Sequence, residues 1–279
     1  MSLPARTSVL LVDNGSLEPA AVLRLRALAD ALGGRLGRPV EPVSILHADR
    51  VPAAQLAGRA AEVLEPALRR RLEAGVSNFL LVPLFIGPTR ALSEFVPLAV
   101  ERLRPEFPAL QVRVAAPLHG ENDDRLARIL ADQVAAELTP GVDSAGEVRV
   151  AVVDHGSPVR AVAAVRDQVA AQLAQRLYGR VAAVAPSSME RRPGAEYDFN
   201  EPLLAHLLAA APWNQGPVVV AHLFLLPGRH AGPGGDIAQI CQAAEQASGG
   251  SLRITRTGLL GDHPMLLDIL HDRARSMGL

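Results

Sequence analysis

The sequence contains no lysine: all 28 of its basic residues are arginines. A glycine-rich phosphate loop of the Walker type is therefore excluded, because its lysine is indispensable. No bound nucleotide is expected. Cysteine occurs once, at Cys241, which rules out an intrachain disulfide and any multi-cysteine metal site. Aromatic residues make up only 3% of a chain that is 49% hydrophobic, so the core must be built from Ala, Val and Leu. Charge of one sign is also missing. The formal net charge of −1 gives no overall basic field, which argues against nucleic acid or an anionic membrane as partner. No stretch approaches the roughly 20 apolar residues that span a bilayer. Residues 1–7 show no apolar signal core, and a cytoplasmic location is expected.

What is present is an internal duplication. The segment Val9-Leu-Leu-Val-Asp-Asn-Gly-Ser16 matches Val150-Ala-Val-Val-Asp-His-Gly-Ser157, with Asn14 and His155 set 141 residues apart. The same spacing relates Pro117-Leu-His-Gly120 to Gly258-Leu-Leu-Gly261. Between these landmarks, Val82-Pro-Leu-Phe-Ile86 pairs with Ala221-His-Leu-Phe-Leu225 at a spacing of 139. Order and spacing are both preserved.

Each half reads as alternating strands and helices. Apolar runs over 9–12 and 148–153 predict buried strands, because they are apolar at consecutive positions. Further strands are predicted over 40–46, 79–85 and 112–116, and over 181–185, 218–225 and 252–257. Helical spacing is found over 20–36, 53–74, 93–103, 125–138 and 161–177. The fold class expected is α/β, with two tandem, Rossmann-like parallel-sheet domains over 1–141 and 147–279. The turn-rich segment 139–146 is the natural boundary. In such sheets ligands bind beyond the carboxyl ends of the strands. Asn14, His155 and the loops over 86–91 and 225–230 all fall there.

The chemistry-bearing residues collect in the second half. In Asp154-His155-Gly156-Ser157, Gly156 permits a tight turn and Ser157 can cap the next helix. A Ser-His-Asp triad is a poor reading, because adjacent Asp154 and His155 leave an extended chain on opposite faces. The glycine-rich loop Leu225-Leu-Pro-Gly-Arg-His-Ala-Gly-Pro-Gly-Gly-Asp236 projects Arg229 and His230 from another strand of the same sheet. Two convergent imidazoles can hold a divalent first-row metal or serve as bases near neutral pH.

This constellation resembles the sirohydrochlorin chelatases, which belong with the cobalt chelatases and ferrochelatase among the class II tetrapyrrole chelatases. The resemblance rests on His155-Gly-Ser157, the Leu223-to-His230 segment and Gly261-Asp-His-Pro-Met-Leu-Leu267, and it covers both halves. It implies a fused pair of chelatase-like domains with a cleft between them. The implied activity is ATP-independent insertion of Co2+, Fe2+ or Ni2+ into an acidic tetrapyrrole. His155 and His230 fall on the family's metal-handling histidines, which implies metal-binding and catalytic roles for both. The family's acidic residue falls at Glu190 or Glu201. A carboxylate-rich substrate also implies local cations, with Arg160, Arg191, Arg192, Arg229 and Arg90 as candidates and Ser157 and Asn14 beside them.

The first half departs from the pattern. Asn14 replaces the first histidine, the loop Gly87-Pro-Thr-Arg-Ala-Leu92 has none, and His47 stands near the acidic position. This half is expected to lack metal handling and to form a wall of the cleft. His222 is expected in the core and His263 at a helix start. A carrier of metal or tetrapyrrole without turnover is the second reading. Phosphoryl transfer is disfavoured, because the Arg229-His230 dipeptide follows the third strand of its half and not the first. The fused form is compatible with a monomer or a homodimer.

Overall fold

The structure is a computed structural model, and it describes residues 6–138 and 147–279. The expected linker 139–146, and with it the boundary after residue 141, lies outside the described residues.

Sixteen principal elements are arranged as two α/β repeats. The first contains β1 (Thr7–Asp13), α1 (Pro19–Leu36), β2 (Val40–Ser44), α2 (Leu64–Glu73), β3 (Asn78–Pro83), α3 (Val96–Leu103), β4 (Gln111–Val114) and α4 (Arg125–Glu137). The second contains β5 (Arg149–Asp154), α5 (Arg160–Arg176), β6 (Ala183–Ser188), α6 (Leu204–Ala209), β7 (Gly216–His222), α7 (Asp236–Ala247), β8 (Leu252–Arg256) and α8 (Pro264–Arg275). The strands form two four-stranded parallel sheets, ordered β2-β1-β3-β4 and β6-β5-β7-β8. Central β1 and β5 are nearly wholly buried, as their unbroken apolar runs require. One face of the first sheet packs Phe79 and Leu81 against Leu64, Leu68 and Leu103 of its helices. The second packs Val153 and Val220 against Leu204, Trp213 and Ile237.

Two helical expectations need correction. The segment 53–74 is not one helix: a short 3-10 turn, Ala53–Leu56, ends at Ala57 (φ 54°) and Gly58 (φ 77°), and α2 starts only at Leu64. The interruption lets the chain run beside β2, where Ser44 bridges to Val63. The segment over 93–103 begins as a π-helical turn, Ala91–Phe95, before α3.

The duplication also shifts register. Ala115 N donates to Leu81 O and Thr257 N to Val220 O, while His119 N donates to Ile86 O and Gly261 N to Leu225 O. His119, not Gly120, is thus the counterpart of Gly261.

The compact units do not follow the sequence halves. One comprises Met1–Gly120 with Pro264–Leu279, and the other Glu121–His263. In the first, α8 packs on α1 and β3. There Asp268 pairs with Arg35, and the Arg273 guanidinium donates to the carbonyls of Pro117 (2.9 Å) and Leu118 (2.8 Å). In the second, α4 packs on α5 and β7, Asp124 pairs with Arg176, and Gln133 donates to Leu259 O at 2.9 Å. Each repeat's last helix therefore completes the unit built on the other repeat's sheet. The burial of apolar Leu126, Ile129 and Leu130 of α4, and of Leu266, Ile269 and Leu270 of α8, holds this exchange.

Candidate active site

The second unit gathers its polar side chains where β5, β6 and β7 end. At the end of β5, the buried Asp154 carboxylate accepts hydrogen bonds from Ser188 Oγ (2.6 Å) and Gly156 N (3.1 Å). Its pKa is raised by burial, against which the Ser188 hydroxyl and the Arg166 guanidinium act. Gly156 adopts φ 90°, and a Cβ there would lie 1.9 Å from Glu190 O, so only glycine fits the turn. The turn leaves His155 exposed.

Ser157 is held by its backbone: its N–H donates to Asn200 Oδ1 (2.9 Å) and its carbonyl accepts from Asn200 Nδ2 (3.0 Å). Its hydroxyl does not cap α5 as expected; it accepts from Val159 N, closing a local turn before the helix. Beneath this clamp lies Arg166 of α5, 1% exposed, which donates to Ser188 Oγ and to the carbonyls of Asn200 and Phe199.

The β7 loop supplies the partner. His230 O accepts from Ile237 N at 3.1 Å, and Gly235 packs so closely that a Cβ would lie 2.6 Å from His230 O. The half-buried His230 ring faces Asp236, the first residue of α7, with Nδ1 2.6 Å from Oδ2. The rings of His155 and His230 meet edge-on, centroids 4.7 Å apart at 71°. Glu190 Oε1 lies 3.6 Å from His155 Nε2, and His155 Nδ1 lies 3.0 Å from Gly156 O.

The other candidates divide. Glu201 is committed locally, accepting from Arg191 Nε (2.7 Å), Leu203 N (2.9 Å) and His206 Nδ1 (3.3 Å). Burial raises its pKa, but these donors prevail and hold it below the ordinary value. Arg191 also reaches Asp198 and Gly194 O, so it braces its own loop. Arg160 lies over the Phe199 ring at 4.6 Å and Arg192 over Tyr197 at 5.9 Å, both exposed. Arg229 is 80% exposed, 3.8 Å from Asp236. Among the described residues, no three His, Cys, Asp or Glu side chains form a metal cage. Burial pushes the Cys241 thiol up to about 12, too high for thiolate ligation near neutrality. His222 is a core residue with Nδ1 2.7 Å from Thr257 O, and burial lowers its pKa.

The first unit lacks this chemistry. Leu46 N donates to Asn14 O as Glu190 N does to His155 O, so Leu46, not His47, is the counterpart of Glu190. Counted from Ile86 and Leu225, Arg90 matches Arg229 and Ala91 matches His230. Asn14 is exposed, and Arg90 forms a two-pronged pair with Glu94. Asn14, Leu46 and Ala91 thus stand where the second unit has His155, Glu190 and His230.

Asp236, Arg166 and Asn200 were not anticipated. Asp236 carried a signal, as an acid opening a helix six residues after a loop histidine, and Arg166 another, as a cation on the apolar stripe of α5.

Two parallel α/β units, one bearing a histidine pair at its strand ends, define the class. The CbiX family model matches residues 8–137 and 149–277, and the chain belongs to that family. Solved structures share the fold. SirB from Bacillus subtilis with Fe3+ is 15% identical with TM-score 0.68, covering 98% of this chain and 96% of that one. The sirohydrochlorin chelatase SirB in complex with cobalt, from Bacillus subtilis subspecies spizizenii, is 14% identical with TM-score 0.68, covering 98% and 95%. A multi-domain Deinococcus radiodurans protein, described as structurally similar to chelatases, is 18% identical with TM-score 0.61, covering 97% and 55%. No curated protein matches the chain. Among the described residues no helix is long and apolar enough to cross a membrane.

Proposed function

We propose that the chain is a metal chelatase that inserts Co2+, Fe2+ or Ni2+ into sirohydrochlorin or a related acidic tetrapyrrole, without ATP. The observation that carries this reading is the meeting of His155 and His230, from separate loops, at 4.7 Å between ring centroids. Imidazole nitrogens suit these borderline metals, and the choice among them is set by geometry, ligand type and metal supply more than by raw affinity. The metal is a substrate here. A pair of donors holds it while leaving coordination positions for the pyrrole nitrogens.

Metal entry displaces two pyrrole protons, which must reach solvent. Glu190, 61% exposed and 3.6 Å from His155 Nε2, gives that imidazole an acceptor leading outward. The turn fixed by Gly156 and the Asn200 clamp on Ser157 keep His155 in place during the exchange. Exposed Arg160, Arg192 and Arg229 provide guanidinium groups for the substrate's carboxylates. Arg191 and Glu201 support this surface through their mutual ion pair. Asn14 and Arg90 belong to the first unit and are assigned to substrate contact only.

The experiment is metal insertion followed by the visible spectrum of sirohydrochlorin with Co2+. His155→Ala with His230→Ala abolishes insertion while circular dichroism stays native; full turnover in the double variant would refute the assignment. A carrier without turnover is the second reading, favoured by Asn14, Leu46 and Ala91 replacing the site in the first unit. Stoichiometric binding with no catalytic excess of product would select it.

A further inference from the structure

We infer that Asp236 is a positioning residue that fixes which nitrogen His230 presents to a metal ion. The inference rests on the chelatase reading for its purpose, but on geometry for its content. Asp236 Oδ2 lies 2.6 Å from His230 Nδ1, and a carboxylate oxygen in such a bond accepts. The hydrogen of the neutral ring therefore resides on Nδ1, and the lone pair on Nε2. His155 is arranged alike with a weaker partner: its Nδ1 faces the carbonyl oxygen of Gly156 at 3.0 Å, another group that only accepts. His155 also has the Glu190 carboxylate 3.6 Å from its Nε2, so of the edge-on pair it is His230 whose tautomer the carboxylate bond at Nδ1 fixes.

The support around His230 is built for this purpose. The backbone on either side of the Asp236–His230 bond is locked: Ile237 N donates to His230 O, and Gly232 N to Gly228 O at 2.9 Å. The space closed by Gly235 admits no side chain at that point. Arg229 approaches the same Oδ2 at 3.8 Å but is 80% exposed, so it competes weakly. The duplication supplies an internal control. The buried positions of α3 and α7 correspond as Val96 to Ile237 and Val100 to Cys241, which sets Phe95 opposite Asp236, so imidazole and carboxylate are absent together from the first unit. A carboxylate that only stabilised the start of a helix would have no reason to reach the ring.

The test uses the full chain with two variants, Asp236→Ala and Asp236→Asn, and two readouts. The first is the 15N shifts of the His230 ring at pH 8, without metal. Wild type shows protonated Nδ1 and bare Nε2; D236N keeps that pattern through its amide oxygen, and D236A shifts toward the Nε2–H form. The second is titration with Co2+ alone, followed by its visible bands. D236A weakens binding by about 10- to 100-fold, the effect expected on losing the outer partner of a metal-binding histidine, and D236N by less. An unchanged tautomer in D236A, or equal losses of Co2+ affinity in both variants, overturns the inference. A wild-type chain that shows the expected tautomer but binds no Co2+ sinks the chelatase reading instead, and leaves the positioning role decided by the ring shifts.

Discussion

Asp13 and Asp154 occupy the same place in the two repeats and differ in what surrounds them. Asp154 has Arg166 nearby, Nη1 to Oδ1 4.0 Å, whereas Leu25 stands at the corresponding position of α1. Burial lifts the Asp13 carboxyl from 3.8 to about 6, with the Ser44 and Gly15 hydrogen bonds opposing. The folded chain then holds this proton to higher pH than the unfolded chain does. Its contribution to stability is complete below pH 3.8 and is lost as pH rises through about 6. Asp13→Asn removes that loss, a gain of at most about 3 kcal/mol at pH 8 and little at pH 4. Thermal melts at the two pH values check it; an identical shift at both would contradict the account. His155 and His230 were legible in the sequence because the first directly ends an apolar strand run and the second stands in the glycine-rich loop that follows another strand of the same sheet. Asp236 was not, since helix-opening acids are common and only coordinates show that its carboxylate meets an imidazole.

Within elements, the decisive feature is the polar support of the α5 face. Arg166 donates to one hydroxyl and two carbonyls in the second unit's interior. Replacement by methionine removes the cation beside buried Asp154 and takes this donor away from the carbonyls of Asn200 and Phe199. We expect Arg166→Met to destabilise the chain by about 3–5 kcal/mol, the range for breaking a buried charge network. Urea denaturation checks this, and a loss under 1 kcal/mol would show that the network is dispensable. The first repeat illustrates the consequence of its absence. Leu25 and Ala60 take the places of Arg166 and Asn200, and a cavity of about 370 Å3 lined in part by Leu25, Ser44 and Ala60 opens there. The strands and most helices were readable from their periodicity. The segment 53–74 was not: its Ala-rich composition suits a helix, but the left-handed turn at Ala57-Gly58 and the pairing of Val63 with Ser44 override that local preference.

At the scale of the molecule, the sequence revealed the order of repeats but not which sheet each terminal helix covers. Both arrangements bury the same apolar stripes, so periodicity cannot distinguish them. The outcome bears on the isolated second repeat. A fragment of residues 147–279 lacks α4, whose Leu126, Ile129 and Leu130 are buried in the unit containing α5 and β7. It retains α8, the equivalent helix, which in the whole chain packs elsewhere. Two such fragments can satisfy each other by trading α8. Sedimentation of 147–279 should give a dimer; a stable, well-folded monomer would count against equivalence of the two helices.

The traded helices also determine how the protein responds to cutting. A protease that opens the chain between 138 and 147 severs it into two pieces, each holding one helix that belongs to the other's unit. Such a nicked molecule stays clasped under native conditions and comes apart only in denaturant.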